Sequence, residues 1–318
     1  MASASDSVRA ARLLAHGEPL QVQEVQLPEP GPDEVRVELE FGGVNPIDFY
    51  IAEGRVPTDG PLPRTLGGEA AGRADGQPVL VAGEALGAAR DGVWAGAAVV
   101  PRAAVVALPE GVRTRDAAAV GIAGLTALNC VRELAQVTAD DRVLVLGASG
   151  GVGSMIVSLA HSAGATVWGQ TGSAAKVDGI AAHGADRVLV AGPDELAAAL
   201  ADLAPTVAFD PLGDGFIASV VEAVQPGGRI VSLGVSAGAE VTFNLQSLYR
   251  KMLTLYGYGG MQLKREERRR GLDATLAAVR DGDLHIAIDS VLPLDQVNEA
   301  FARLTDRGVQ GNLVLDLS

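Results

Sequence analysis

The run Val143-Leu144-Val145-Leu146-Gly147-Ala148-Ser149-Gly150-Gly151-Val152-Gly153 constrains this chain more than any other stretch. Branched apolar residues without a polar interruption predict a strand buried on both faces, and the glycines after them predict a tight turn into a helix beginning near Gly151. Glycine lets the backbone approach a pyrophosphate, whose charge then lies against the unpaired N–H groups and positive dipole end of the helix. In the dinucleotide register G-x-G-x-x-G the run reads A-x-G-x-x-G. Ala148 takes the place of the first glycine, which the turn accepts if its φ is negative. A glycine turn made only for packing is the alternative, and the surrounding pattern has to decide.

That pattern changes texture once. From Val8 to about Leu39, runs such as Leu20–Val25 and Glu34–Leu39 alternate apolar and polar residues, which predicts half-buried antiparallel strands. Gly42–Tyr50 predicts a turn and a short helix with Pro46 in its first turn, and 57–63 a proline-rich loop. Apolar runs at 79–81, 97–100 and 105–108 complete a β-rich first domain. Residues 116–121 and 125–134 carry helical spacing and lead into the 143–146 strand. Strands at 166–169, 188–190, 207–209 and 229–233 then alternate with helices at 151–163, 174–183, 195–203 and 216–224. Such βαβ spacing predicts a parallel sheet covered by helices on both faces. A further strand is expected at 252–258. The mixed-sign run Lys264–Arg270 reads as a solvated helix face, followed by strands at 286–292 and 313–317 around a helix at 295–305.

Composition excludes several partners. With 318 residues, 48% of them hydrophobic, the chain can build about two cores. A net charge of −14 argues against nucleic acid and against an anionic membrane surface. No apolar run of about 18 residues is present, and Met1–Ser7 lacks a basic-then-apolar leader pattern, so the expected location is cytoplasmic. The one cysteine, Cys130, permits no intramolecular disulfide, and its place in a predicted helix suits a buried apolar role.

Several separated segments together resemble the zinc-independent, quinone oxidoreductase-like branch of the medium-chain dehydrogenase/reductase superfamily. They are 43–50 (Gly-Val-Asn-Pro-Ile-Asp-Phe-Tyr), 66–72 (Leu-Gly-Gly-Glu-Ala-Ala-Gly), 124–127, 147–153, 171–176, 209–213, 227–234 and 310–315, in the family's order and spanning nearly the whole chain. The resemblance implies an α/β architecture in which a Rossmann doubly wound parallel sheet, residues 125–262, is inserted into a β-rich GroES-like catalytic domain, residues 1–124 plus 263–318. It also implies a cofactor in the cleft between them. By the same resemblance Asn45, Thr126, Ala148, Gly150, Gly151, Val152, Thr171, Ser173, Lys176, Leu233, Gly234 and Asn312 would bind the cofactor. Asn312 stands where relatives have a lysine, which removes one charge contact. Residues 72–94 look shorter than in relatives, so substrate size does not carry over.

No metal is expected. A catalytic zinc needs three Cys, His or carboxylate ligands and an open position. Asn45 and its neighbours offer no thiol, Gly68 stands where the metal-binding branch has a histidine before Glu69, and His16, His161, His183 and His285 are scattered. The cofactor expectation is NADPH. An NAD site has an acid about 20 residues after the turn, whereas Val167–Ser173 holds none, and Ser173 and Lys176 could meet a 2′-phosphate. An exposed lysine with no such role is the alternative for Lys176, and 190–192 lacks the tyrosine or arginine relatives often carry there.

Without a metal, the suited chemistry is hydride delivery to the β-carbon of an acceptor whose own carbonyl takes up charge: a quinone or another α,β-unsaturated carbonyl compound. Asn45 would hold the nicotinamide ribose or orient the acceptor carbonyl. Tyr50 is the candidate to hydrogen-bond the enolate and donate a proton, with a packing role as the alternative. Asp48 is read as a local cap. Two other functions stay open: an enoyl thioester reductase of a biosynthetic pathway, and a non-catalytic NADPH-binding structural or regulatory protein. A homodimer through the apolar 241–258 edge is expected.

Overall fold

A computed structural model describes residues 7–306 and 308–318. Most of the stretch read for a leader, Met1–Asp6, lies outside the described residues. The chain forms two compact units: the described residues to Leu125 with Lys264–Arg280 and Ile288–Ser318, and Thr126–Leu263 with Asp281–Ala287. The segment 281–287 thus belongs to the second unit, where the sequence reading assigned everything after 262 to the first.

The first unit is built on strands β1 (Ser7–Leu13), β2 (Gln21–Gln26), β3 (Glu34–Val44), β4 (Arg64–Thr65), β5 (Glu69–Ala74), β6 (Gln77–Ala82), β7 (Ala97–Pro101) and β8 (Val105–Ala107). β1 pairs with β2 and β4, and β3 runs antiparallel to β5 and β7. β5 and β6 form a hairpin on Asp75-Gly76, both with positive φ, which suits the type I′ turn that Asp-Gly favours. The helix α1 (Pro46–Ala52) follows β3 directly, with proline at its start.

The second unit carries β9 (Arg142–Val145), β10 (Thr166–Thr171), β11 (Arg187–Val190), β12 (Val207–Asp210), β13 (Arg229–Ser232) and β14 (Thr254–Gly257). They form one parallel sheet in the order β11-β10-β9-β12-β13-β14, the doubly wound order expected. Val143, Leu144 and Val145 are fully buried, in keeping with a central strand covered on both faces. The helix α2 (Gly151–Ser162) follows β9. The expected helix at 125–134 is Ala123–Leu128 continued by a π-helical turn, Asn129–Leu134. The strand expected at 252–258 is shortened to β14 because Met252 takes a positive φ and turns the chain before it. The chain returns to the first unit with α3 (Arg265–Asp281, its last residue apart), β15 (Ile288–Pro293) and β16 (Asn312–Asp316), and β16 pairs with β3. Arg265 on α3 is exposed as expected and holds Glu84 through two hydrogen bonds of 2.9 and 2.7 Å. Among the described residues no helix is long and apolar enough to cross a membrane.

Candidate active site

In the second unit the β9–α2 turn has the form a phosphate requires. Gly147, at φ +57, takes the left-handed conformation, so Ala148 is spared it and does not belong to the positive-φ residues. A Cβ on Gly153 would stand 2.2 Å from the Gly147 carbonyl oxygen, so glycine is what lets the helix pack on the turn. A Cβ on Gly150 would meet nothing nearer than 3.5 Å, leaving the approach to the helix start open. Among the described residues no side chain caps that start, and the N–H groups of its first turn point out of a helix of 12 residues. A pyrophosphate fits this cradle in charge and in space.

Gln170 fixes the turn, and sequence reasoning missed it. Its Oε1 accepts from Gly147 N (3.0 Å), its Nε2 donates to Ala191 O (2.6 Å), and its backbone oxygen accepts from Ala148 N (2.9 Å). One buried side chain therefore ties the turn after β9 to the end of β11. Thr171 is buried, with Oγ1 accepting from Ser173 N at 3.3 Å. Ser173 precedes a 3-10 turn, Ala174–Lys176, so Ser173 and the half-buried Lys176 share the loop after β10. Gly172, between Thr171 and Ser173, has open space where a Cβ would stand. Leu233 and Gly234 follow β13. Leu233 N donates to Asp210 O at 3.0 Å, and a Cβ on Gly234 would press on Pro211 O at 2.8 Å. Asp210 caps its own loop by accepting from Leu212 N and Gly213 N (2.8 and 3.0 Å), and burial pushes its carboxyl above the usual range. Thr126, Ala148, Gly150, Gly151, Val152, Thr171, Ser173, Lys176, Leu233 and Gly234 all belong to this unit.

In the first unit Asn45, Tyr50 and Asn312 gather at one end of β3. Leu313 pairs with Val44, which sets Asn312 beside Asn45. Asn45 is the N-cap of α1. Asp48 forms the reciprocal half of a capping box by accepting from Asn45 N at 2.9 Å, and its other oxygen accepts from Gly68 N at 3.1 Å. The reading of Asp48 as a local cap matches this geometry. Tyr50 is half-buried, with its ring 6.1 Å from Phe49, which in turn packs edge-on against Phe301.

The centre of this end is Glu69, which sequence reasoning noted only as part of a motif. It is buried to 1% exposure, its Oε1 accepts from Asn45 Nδ2 (2.5 Å), and its Oε2 accepts from Ile122 N (2.7 Å). Gly43 and Gly121 make the room: a Cβ on either would lie 2.4 or 2.6 Å from a Glu69 oxygen. Burial pushes Glu69 up to about 8, with the nearby Asp48 charge adding to the rise against the hydrogen bonds that oppose it. Burial likewise pushes Asp48 up to about 7.

A zinc ion does not fit these residues. Asp48 and Glu69 each have both oxygens engaged by protein N–H groups, and Asn45 and Gly68 supply neither thiolate nor imidazole. Among the described residues no cluster of three His, Cys, Asp or Glu side chains is arranged to hold a metal. The histidines are less scattered than their spacing suggests. The His161 ring packs on Gly184, and burial, with the charge of His285 in the 281–287 segment second, holds the neighbouring His183 below the usual imidazole range. Cys130 is fully buried, and burial pushes its thiol up to about 12, consistent with a packing role.

Comparison with known proteins agrees with this fold. The family described as zinc-binding dehydrogenase matches residues 151–278. The quinone oxidoreductase of Pseudomonas aeruginosa is 29% identical over 95% of this chain and 97% of that protein. The crystal structure of a quinone oxidoreductase from Pseudomonas syringae pv. tomato superposes with a TM-score of 0.86 at 25% identity, covering 97% of this chain and 99% of that one. That of Escherichia coli YhdH with bound NADPH gives 0.82 at 26% identity, covering 97% and 100%. The fold is that of the medium-chain dehydrogenases/reductases, and the comparisons support an oxidoreductase that binds a nicotinamide cofactor. Within that superfamily the chain is similar to quinone oxidoreductases.

Proposed function

We propose that the protein is an NADPH-dependent reductase that delivers hydride, without a metal, to quinones or other α,β-unsaturated carbonyl compounds. The observation that carries this reading is the uncapped, open start of α2 at Gly150, held by Gln170 beside a β10 end that has no acidic residue. Absence of an acid removes the partner that would favour a free 2′-hydroxyl, and Ser173 and Lys176 supply a donor and a charge for a 2′-phosphate. The bound cofactor supplies the hydride. The acceptor's own carbonyl carries the developing charge, and Tyr50 is the side chain read as donating to that enolate oxygen.

A homodimer is part of the same proposal. β14 ends its sheet, and Leu245, Tyr249, Met252 and Leu255 expose apolar surface on it or just before it. A second copy pairing there would cover both the free strand edge and this surface.

The test follows NADPH absorbance with a naphthoquinone, a small cyclic enone and an enoyl-CoA. Turnover of the first two and little of the third supports the reading. Preference for the enoyl-CoA would replace it with thioester reduction, and tight NADPH binding without turnover of any acceptor would replace it with a non-catalytic role. Equal or better catalytic efficiency with NADH would sink the NADPH assignment.

A further inference from the structure

The Asn45 amide has two N–H donors and an oxygen with two lone pairs. One donor goes to Glu69 Oε1 at 2.5 Å, and the Asp48 carboxyl also takes the Asn45 side chain as a partner. The Asp48 N–H goes to the Asn45 backbone oxygen at 3.0 Å, so the amide oxygen is not drawn into the helix cap. The Glu69 bond turns the amide nitrogen toward the buried carboxyls and leaves Oδ1 to meet a ligand. Glu69 itself has little freedom to change this: it is seated between Gly43 and Gly121, and Ile122 N fixes its other oxygen.

We propose that Glu69 is a positioning residue: by taking an amide N–H of Asn45 it commits Asn45 to meet its ligand as a hydrogen-bond acceptor, one that reads a hydroxyl and not a carbonyl. This rests on the functional reading above and decides between the two roles considered for Asn45. Orienting the acceptor carbonyl would need an N–H, and the Glu69 bond holds the amide nitrogen turned toward the buried carboxyl. Holding a ribose hydroxyl needs an oxygen, and that is what remains.

The test exchanges the two groups. In Glu69→Gln the new amide must face either Ile122 N–H or Asn45 with its own N–H groups. The Asn45 side chain yields more easily than the backbone, so its amide turns over and presents N–H in place of the oxygen. The double variant Asn45→Asp/Glu69→Gln restores the polarity, with the introduced glutamine amide donating to a carboxylate that again offers an oxygen.

We expect Glu69→Gln to raise the Kd for NADPH, read from protein fluorescence without any acceptor at about pH 9, where the Glu69 carboxyl is ionised and can only accept, by about tenfold, the loss of one hydrogen bond. The double variant should return it to within about threefold of wild type. Parallel KM values for a hydroxyl-bearing naphthoquinone and its unsubstituted parent separate the sources: a rise confined to the hydroxyl-bearing acceptor assigns the hydroxyl to substrate, and a rise in NADPH Kd assigns it to the ribose. Unchanged Kd and KM in Glu69→Gln overturn the proposal. So does a double variant that regains the wild-type melting temperature but not the affinity, because that is the signature of a purely structural role. Wild-type protein that binds no NADPH would overturn the functional reading beneath.

Discussion

Gly150 and Gly153 separate the two tasks of the β9–α2 turn, and alanine at each should fail differently. At Gly153 the added methyl would stand 2.2 Å from Gly147 O, 2.9 Å from Gly147 C and 3.0 Å from Ala148 Cα. All three are backbone atoms, so nothing flexible yields. Overpacking of this kind costs about 1–3 kcal/mol, and at about 2–4 °C per kcal/mol the melting point of Gly153→Ala should fall by several degrees. At Gly150 the backbone sits at φ −78 and ψ 173, open to any residue, and the nearest atom to an added Cβ is 3.5 Å away. Gly150→Ala should therefore stay within about 1 kcal/mol of wild-type stability, the difference between glycine and alanine at an N-cap. Its methyl instead fills the space through which a phosphate reaches the helix N–H groups. Loss of even one charge-assisted hydrogen bond is about 1.5–3 kcal/mol, so the Kd for NADPH should rise at least about tenfold. Thermal melts without ligand and fluorescence titration with NADPH read the two effects separately. A Gly150→Ala protein that binds NADPH as wild type does would refute the phosphate role of this turn.

Other outcomes follow from the first unit and the sheet edge. Asp48 and Glu69 start from ordinary values of 3.8 and 4.5 and are pushed up by burial to about 7 and about 8. The folded state binds their protons more tightly, so the stability this contributes is fully present below pH about 4 and is lost as pH rises through the folded values. Urea midpoints measured from pH 5 to pH 8 should decline in wild type and decline less in Glu69→Gln, and a wild-type midpoint that climbs over this range would contradict the assignment. Tyr50→Phe should lower enone turnover about 10²-fold if the phenol donates the proton, and an unchanged rate would leave that step to water. Leu255→Asp on the exposed side of β14 should convert a dimer to a monomer in sedimentation, and a wild-type monomer would remove the premise.

How far the sequence could be read depended on the range of the interactions. The Val143–Gly153 turn was legible because burial, turn and helix start are all written in consecutive residues, and the βαβ spacing after it carried the parallel sheet. The condition on Ala148 was met by a residue one position earlier, Gly147, which absorbs the positive φ. Gln170 and Glu69 were not legible as organisers. Their partners lie 23, 24 and 53 residues away, and no local periodicity records such a contact. Gly43 and Gly121 were the available signal for Glu69, since small residues far apart in sequence make the space for one buried carboxyl. The convergence of His161, His183 and His285 went unseen for a similar reason, because segment 281–287 packs with the second unit: Ser158 Oγ and Ser162 Oγ on α2 donate to Asp283.

Where the hydride goes is the central question for this enzyme. Incubation with NADPH deuterated at the transferred position and a small cyclic enone, followed by mass spectrometry and NMR of the product, reads this directly. Deuterium at the β-carbon, with the α-proton taken from solvent, is the predicted result. A product without deuterium, or deuterium on the carbonyl carbon of an alcohol, would contradict it.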